Sequence, residues 1–162
     1  MNKEILYELI QQNRTTCSYA YKMITQDNQV LRISEYTASV GFIYRHIGET
    51  MHLFGTFFGI QTPIQNTTMG QKDVGARFDL EESNALIEKG YILFENLVKE
   101  QNSGFWLEDI ETPFFGKVSK VRLFSHVMYH NAHHAGQISM ILSNAEKQNH
   151  VKNTEGVSAG QQ

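Results

Sequence analysis

The sequence predicts an all-α protein, a four-helix bundle with long irregular connections. Three observations predict it. Apolar residues recur at steps of three and four over four separate stretches. The only prolines, Pro63 and Pro113, fall in the two most turn-like regions and leave long stretches unbroken. The 162 residues suit one domain that hides roughly two-thirds of its unfolded surface, so four apolar faces can be buried against one another.

The first helix is expected from Asn2 to about Thr25, where Leu6, Leu9, Ile10, Cys17, Ala20, Tyr21 and Ile24 keep the helical period. Asp27-Asn28-Gln29 is a polar break. The second helix should run from about Ser34 to Phe58, with Tyr36, Val40, Ile43, Ile47, Met51, Phe54 and Phe58 as its stripe. Gly59 to Phe78 reads as a loop carrying Thr62-Pro63, Asn66-Thr67-Thr68 and Gly70. Asp79, with Glu82 three residues on, resembles a capping box and opens a third helix to about Gln101. Its stripe is Ser83, Ile87, Tyr91, Phe94 and Val98. From Asn102 to Val118 the chain is irregular, around Gly104, Pro113 and Gly116. Phe105-Trp106-Leu107 and Phe114-Phe115 read as loop anchors or as short strands. Ser119 suits the N-cap of a last helix ending near Lys147. One domain is expected over 1–148, with 149–162 as a polar, flexible tail.

Lys plus Arg number 14 and Asp plus Glu 17, for a net charge of −3 without basic clusters. That excludes a nucleic-acid binder, whose affinity rests on neutralising phosphates. The single cysteine, Cys17, excludes an intrachain disulfide and a Cys-based zinc site, and reads as a small core hydrophobe. No apolar run approaches the length of about 20 residues that a membrane span needs. Residues 1–8 alternate charge with apolar groups and lack a signal-peptide core. The expected setting is the cytoplasm, with no membrane partner.

The histidines carry the chemistry. There are seven, four of them between His126 and His134. Residues at i and i+4 lie one above the other on a helix, so two imidazoles there can reach one ion. With ~100° per residue, His134 lies about 40° and His130 about 80° from the centre of the last helix's apolar face. His126 and His133 lie well over 100° away and point outward, as surface residues or a mouth lining, His133 as a surface residue. On the second helix His46 falls about 70° from the apolar centre and can face the core edge. His52 lies nearly opposite and, like His150, is expected at the surface. Burying three imidazoles without partners would cost a few kcal/mol each, and ligation satisfies them together. Three neutral imidazoles holding a divalent ion, with positions left for water, make an open site suited to catalysis. Zinc and nickel both suit imidazole. Glu49, one turn from His46, reads either as an exposed helix carboxylate or as a site residue. In the second case it is an acceptor orienting His46, or a catalytic base taking a proton from the nucleophile.

The run Val127-Met128-Tyr129-His130-Asn131-Ala132-His133-His134-Ala135-Gly136-Gln137-Ile138 resembles the H-x-x-H-H-R-G-Q signature of the DinB/YfiT-like superfamily. Ser39 to Ile47 resembles the second-helix segment that supplies that family's first histidine. The resemblance implies a four-helix bundle with a three-histidine divalent-metal site, often as a homodimer, and places the ligands on His46, His130 and His134. Ala135 stands where the family commonly has Arg, so a salt bridge or partner contact made by that Arg is missing here. The activities implied are metal-dependent transfer of a low-molecular-weight thiol in detoxification or stress response, with a small-molecule substrate, or metal-dependent hydrolysis. A metal-binding bundle without turnover, acting as a sensor or interaction protein, is the alternative from another class. Arg45, Arg77, Lys117 and Arg122 are the cations available to a thiol pocket. A homodimer is also expected from the apolar residues outside the main stripes of helices two and three: Phe42, Tyr44, Leu53, Phe57, Leu86, Leu93 and Leu97.

Overall fold

A computed structural model describes the backbone of residues 3–158 and the side chains of residues 3–147. The four expected helices are present: α1 (Lys3–Tyr21), α2 (Val40–Phe57), α3 (Leu80–Glu100) and α4 (Lys120–Ser158). A short 3-10 turn at Asn28–Val30 lies between α1 and α2, and a long loop joins α2 to α3. A second 3-10 turn at Phe105–Leu107 and an antiparallel hairpin, β1 (Asp109–Thr112) and β2 (Gly116–Ser119), lead into α4.

The boundaries move where side chains compete for the backbone. α1 stops at Tyr21, short of Thr25, because Asn28 takes the Thr25 N–H on Oδ1 and donates Nδ2 to the Met23 carbonyl, each at 2.8 Å. α2 begins at Val40, not near Ser34. Its cap is Ser39, whose Oγ accepts from the Phe42 N–H. Ser34 and Thr37 instead close a turn on each other, and Tyr36, placed in the stripe by its spacing, is 86% exposed. Asp79 caps α3 by accepting from the Glu81 and Glu82 N–H groups, and Glu82 pairs with Arg45 at 3.0 Å instead of completing the box. Ser119 Oγ accepts from the Arg122 N–H at the start of α4. That helix continues to Ser158, past the expected end near Lys147, and residues 159–162 lie outside the described residues.

The aromatic pairs do not form the strands; they flank them. Trp106 is fully buried in the 3-10 turn and packs on Phe58 and Phe124, a true anchor. Phe114 and Phe115 form the hairpin turn. Cys17 is buried in the core, and burial pushes its thiol pKa up, as suits an unreactive hydrophobe.

α2 and α3 approach closely because glycines face across the contact. A Cβ on Gly48 would lie 2.8 Å from Leu86 Cβ, and one on Gly90 would lie 2.9 Å from Met51 Cβ. Tyr44, Leu86 and Leu97 are buried within the chain and Phe42, Leu53, Phe57 and Leu93 are half-covered, Phe42 against Phe78 and Phe57 against Phe54 and Phe114. The apolar surplus read from the sequence as a dimer face is therefore mostly internal. Exposed apolar side chains lie elsewhere, among them Ile5 and Leu9 on α1 and Tyr129 on α4. Among the described residues, no helix is long and apolar enough to cross a membrane.

Candidate metal centre

The buried stripe of α4 includes Leu123, Val127, Ile138, Ile141 and Leu142. It seats this helix against α2 so that His130 and His134, one turn apart, meet His46. His46 Nε2 lies 3.2 Å from His130 Nε2. The ring centroids are 5.0 Å apart for His46–His130 and His46–His134, and 4.4 Å for His130–His134. One ring nitrogen from each of the three lies within 4.8 Å of the other two.

Oxygen acceptors hold two of the rings from outside. His46 Nδ1 is 3.1 Å from Thr68 Oγ1, and Thr68 Oγ1 is 2.8 Å from Glu49 Oε2. An ionised carboxylate only accepts, so the Thr68 hydroxyl donates to Glu49 and its lone pair takes the His46 Nδ1–H. The tautomer that results turns the Nε2 lone pair of His46 toward His130. His134 Nδ1 donates to Gln137 Oε1 at 2.6 Å, which frees its Nε2 in the same way. In His130 the Nδ1 is buried without a well-formed hydrogen bond, while its Nε2 faces His46. Two inward-facing lone pairs beside the Nε2 of a third buried imidazole make a donor set that a cation satisfies and a hydrocarbon core does not.

Electrostatics agree. Burial, reinforced by the nearby His134, pulls the His46 pKa down to about 4. Burial and the neighbouring imidazoles push His130 far below the usual histidine value, and burial lowers His134. All three rings are neutral at pH 7, the form that offers a lone pair to a metal. The donor set thus fits a divalent ion of the kind that imidazole binds.

Glu49 is only 1% exposed, so its reading as a solvated helix carboxylate is corrected. The loop between α2 and α3 folds over it. Glu49 Oε1 accepts from Arg45 Nε at 2.7 Å and Thr67 Oγ1 at 2.8 Å. Its Oε2 accepts from the Thr67 and Thr68 N–H groups at 2.7 and 3.0 Å, besides the Thr68 hydroxyl. Burial alone would raise its pKa; the bonds from Arg45, Thr67 and Thr68 outweigh this and hold it below the usual carboxylate value. Asn66 Oδ1 ties the loop by accepting from the Thr68 and Met69 N–H groups.

His52 is also corrected. It is 5% exposed, with Nε2 3.1 Å from the Leu86 carbonyl and Nδ1 3.4 Å from Thr62 Oγ1, because α3 and the long loop cover that side of α2. His126 does not point out to solvent: it is half-buried, and its ring lies 4.6 Å from that of Phe115 and 6.2 Å from that of His130. His133 is exposed, as expected, and stacks beside Tyr129. The His150 side chain lies outside the described residues. Ala135, where the family commonly has Arg, is buried in the core. Of the four candidate cations, Arg45 binds Glu49 and Glu82, Arg77 donates to the Gln26 carbonyl, and Lys117 pairs with Asp109 at the surface. Arg122 lines a small cleft with Phe115 and His126. The sequence reading missed Thr67, Thr68 and Gln137. Gln137 carried a signal, its place three residues after His134 on the same helix flank. The two threonines carried none, since a loop has no period.

The sequence model of the DinB family matches residues 1–146, and the chain belongs to that family. Among curated proteins nothing matches significantly. Among solved structures, a DinB-like protein of Bacillus subtilis, YjoA, shares 20% identity over 87% of this chain and 92% of its own, with a TM-score of 0.64. YfiT of Bacillus subtilis, described as a probable metal-dependent hydrolase with an unusual four-helix bundle topology, shares 11% identity with a TM-score of 0.68. That match covers 89% of this chain and 87% of YfiT. A mycothiol-dependent maleylpyruvate isomerase shares 11% identity over 85% of this chain and 61% of its own, with a TM-score of 0.65. At these identities the likeness is one of fold.

Proposed function

We propose that this DinB family chain is a divalent-metal-dependent enzyme acting on a small molecule, with His46, His130 and His134 as the ligands. The observation that carries the reading is the convergence of three neutral imidazoles within 4.8 Å, two of them held from outside by Thr68 and Gln137. Zinc and nickel both suit such a donor set. When bound, an ion of this kind lowers the pKa of a water or thiol and so supplies a nucleophile near neutral pH.

The chain's own residues do the rest. Thr68 fixes the tautomer of His46, and Glu49 behind it adds negative charge that strengthens His46 as a ligand. With its oxygens taking bonds from Arg45, Thr67 and Thr68, Glu49 acts through Thr68 as a positioning residue; the base role is the weaker reading. Gln137 does for His134 what Thr68 does for His46.

For the reaction we favour transfer of a low-molecular-weight thiol, in detoxification or stress response. The mycothiol dependence of one structural neighbour supports it, and the hydrolase description of YfiT supports water as the alternative nucleophile. The single, buried Cys17 agrees with a reducing cytoplasm. A homodimer would use the exposed apolar ridge of Ile5, Leu9 and Tyr129, and light scattering at twice 18.6 kDa is its signature. The deciding experiment is metal analysis of protein purified without a His tag, followed by a screen of thiol conjugation against ester and amide hydrolysis. Stoichiometric metal with conjugation supports the first reading. Metal without turnover favours a sensor, and protein that retains no metal overturns the assignment.

A further inference from the structure

α2 and α4 run in opposite senses beside the triad. His46 meets His130 and His134, while Phe54, two turns further along α2, meets His126, one turn earlier on α4. A line of rings therefore leads away from the histidines. His126 lies 6.2 Å from His130, 5.5 Å from Phe54 and 4.6 Å from Phe115, centroid to centroid. Phe114 stacks on Phe54 at 5.7 Å with 20° between the planes.

The hairpin turn is built to hold these rings there. Thr112, itself buried, accepts the Phe115 N–H on Oγ1 at 3.0 Å, and Gly116 closes the turn at φ +61°. Yet Phe114 and Phe115 remain 44% and 39% exposed. Adjoining aromatic faces left open to water beside a candidate reaction centre are the usual lining of a ligand site.

The geometry points to a subsite: Phe114, Phe115 and His126, backed by the buried Phe54, form a wall for a flat, apolar part of the substrate whose reacting end reaches the triad. This rests on the reading of His46, His130 and His134 as metal ligands. Ring-on-ring contact favours an aryl or similarly flat group over a sugar, because the wall offers mainly faces and edges of rings, with the His126 imidazole and the Arg122 guanidinium in the cleft beside it for polar contact. Continuity with the triad favours substrate over a second copy of the chain as the occupant.

The test uses cobalt-loaded full-length protein, with imidazole and 4-phenylimidazole as probes and the visible cobalt bands as readout. Imidazole reports the open position, and the added phenyl ring reports the wall. We expect 4-phenylimidazole to bind at least about tenfold tighter than imidazole, as burial of much of one ring requires. Phe114→Ala combined with Phe115→Ala should reduce that preference to within about threefold while leaving imidazole affinity and cobalt stoichiometry unchanged. The single Phe115→Leu variant, which keeps apolar bulk without a ring, should give an intermediate preference. Circular dichroism checks that each variant is folded. Failure to bind stoichiometric cobalt overturns the metal reading and this one together. Bound cobalt that responds to neither probe, or a phenyl preference that is absent or survives the double variant, overturns the subsite alone. A fall in mass of the double variant by light scattering also overturns it, by making the wall an interface between copies.

Discussion

Thr68→Val is the sharpest test of how the site is built. Thr68 is 2% exposed, and its hydroxyl accepts from His46 at 3.1 Å and donates to Glu49 at 2.8 Å. Valine keeps the shape and removes both bonds, but leaves the Thr68 N–H bond to Glu49 in place. Glu49 retains Arg45 and both Thr67 donors, so its charge stays compensated and the loop stays tied. His46 loses its nearer acceptor and keeps Thr50 Oγ1 at 3.5 Å from Nδ1, a marginal hydrogen bond, so the loss stays within the about 1–3 kcal/mol of an unpaired buried donor. Loss of such an outer partner lowers metal affinity roughly 10- to 100-fold, which is about 1.4–2.8 kcal/mol. Thr68→Ser keeps the hydroxyl and should stay within about threefold of wild type. Competition with a chelator measures the affinity, and urea unfolding of the apo protein separates it from stability. A Thr68→Val protein that binds metal as tightly as wild type would refute the argument and reduce the Glu49–Thr68–His46 chain to a loop tether.

Other outcomes follow from the same geometry. His130→Ala and His134→Ala should each abolish stoichiometric metal binding, read by elemental analysis. His52→Ala should leave binding intact but lower the urea midpoint, since it removes a buried ring bonded to Leu86 and Thr62. His46, His130 and His134 all titrate lower in the fold than in the unfolded chain, whose histidines sit near 6.5. As pH falls the unfolded state takes up protons first, so the stability these rings contribute is whole above about pH 6.5 and is lost toward the His46 value of about 4. Urea midpoints of the apo protein measured between pH 7.5 and pH 4 should fall across that window; a flat profile would contradict the burial of the rings. Gly48→Ala should destabilise by about 1–3 kcal/mol by thermal melting, because its Cβ would meet Leu86 Cβ at 2.8 Å.

The sequence by itself determined what is periodic or local. Steps of three and four placed four helices, because an amphipathic helix must repeat its apolar face every turn. The same azimuths selected His46, His130 and His134 and set His133 outside, because a side chain's direction on a helix follows from its number alone. Asp79 and Ser119 marked helix starts, because capping is a contact within one turn. Ser34 did not, because Thr37 offered a competing turn. Tertiary structure decided everything that depends on what lies opposite. Glu49 and His52 occupy faces of α2 that the stripe leaves free, and both are buried because the long loop and α3 close over those faces. The apolar excess of α2 and α3 became core because Gly48 and Gly90 let the two backbones approach, a fact that lies in the pairing of two helices and in neither one alone. Thr68 acquired its place behind His46 in the same way. A loop residue has no azimuth, and only the folded path of the loop brings its hydroxyl between a carboxylate and an imidazole.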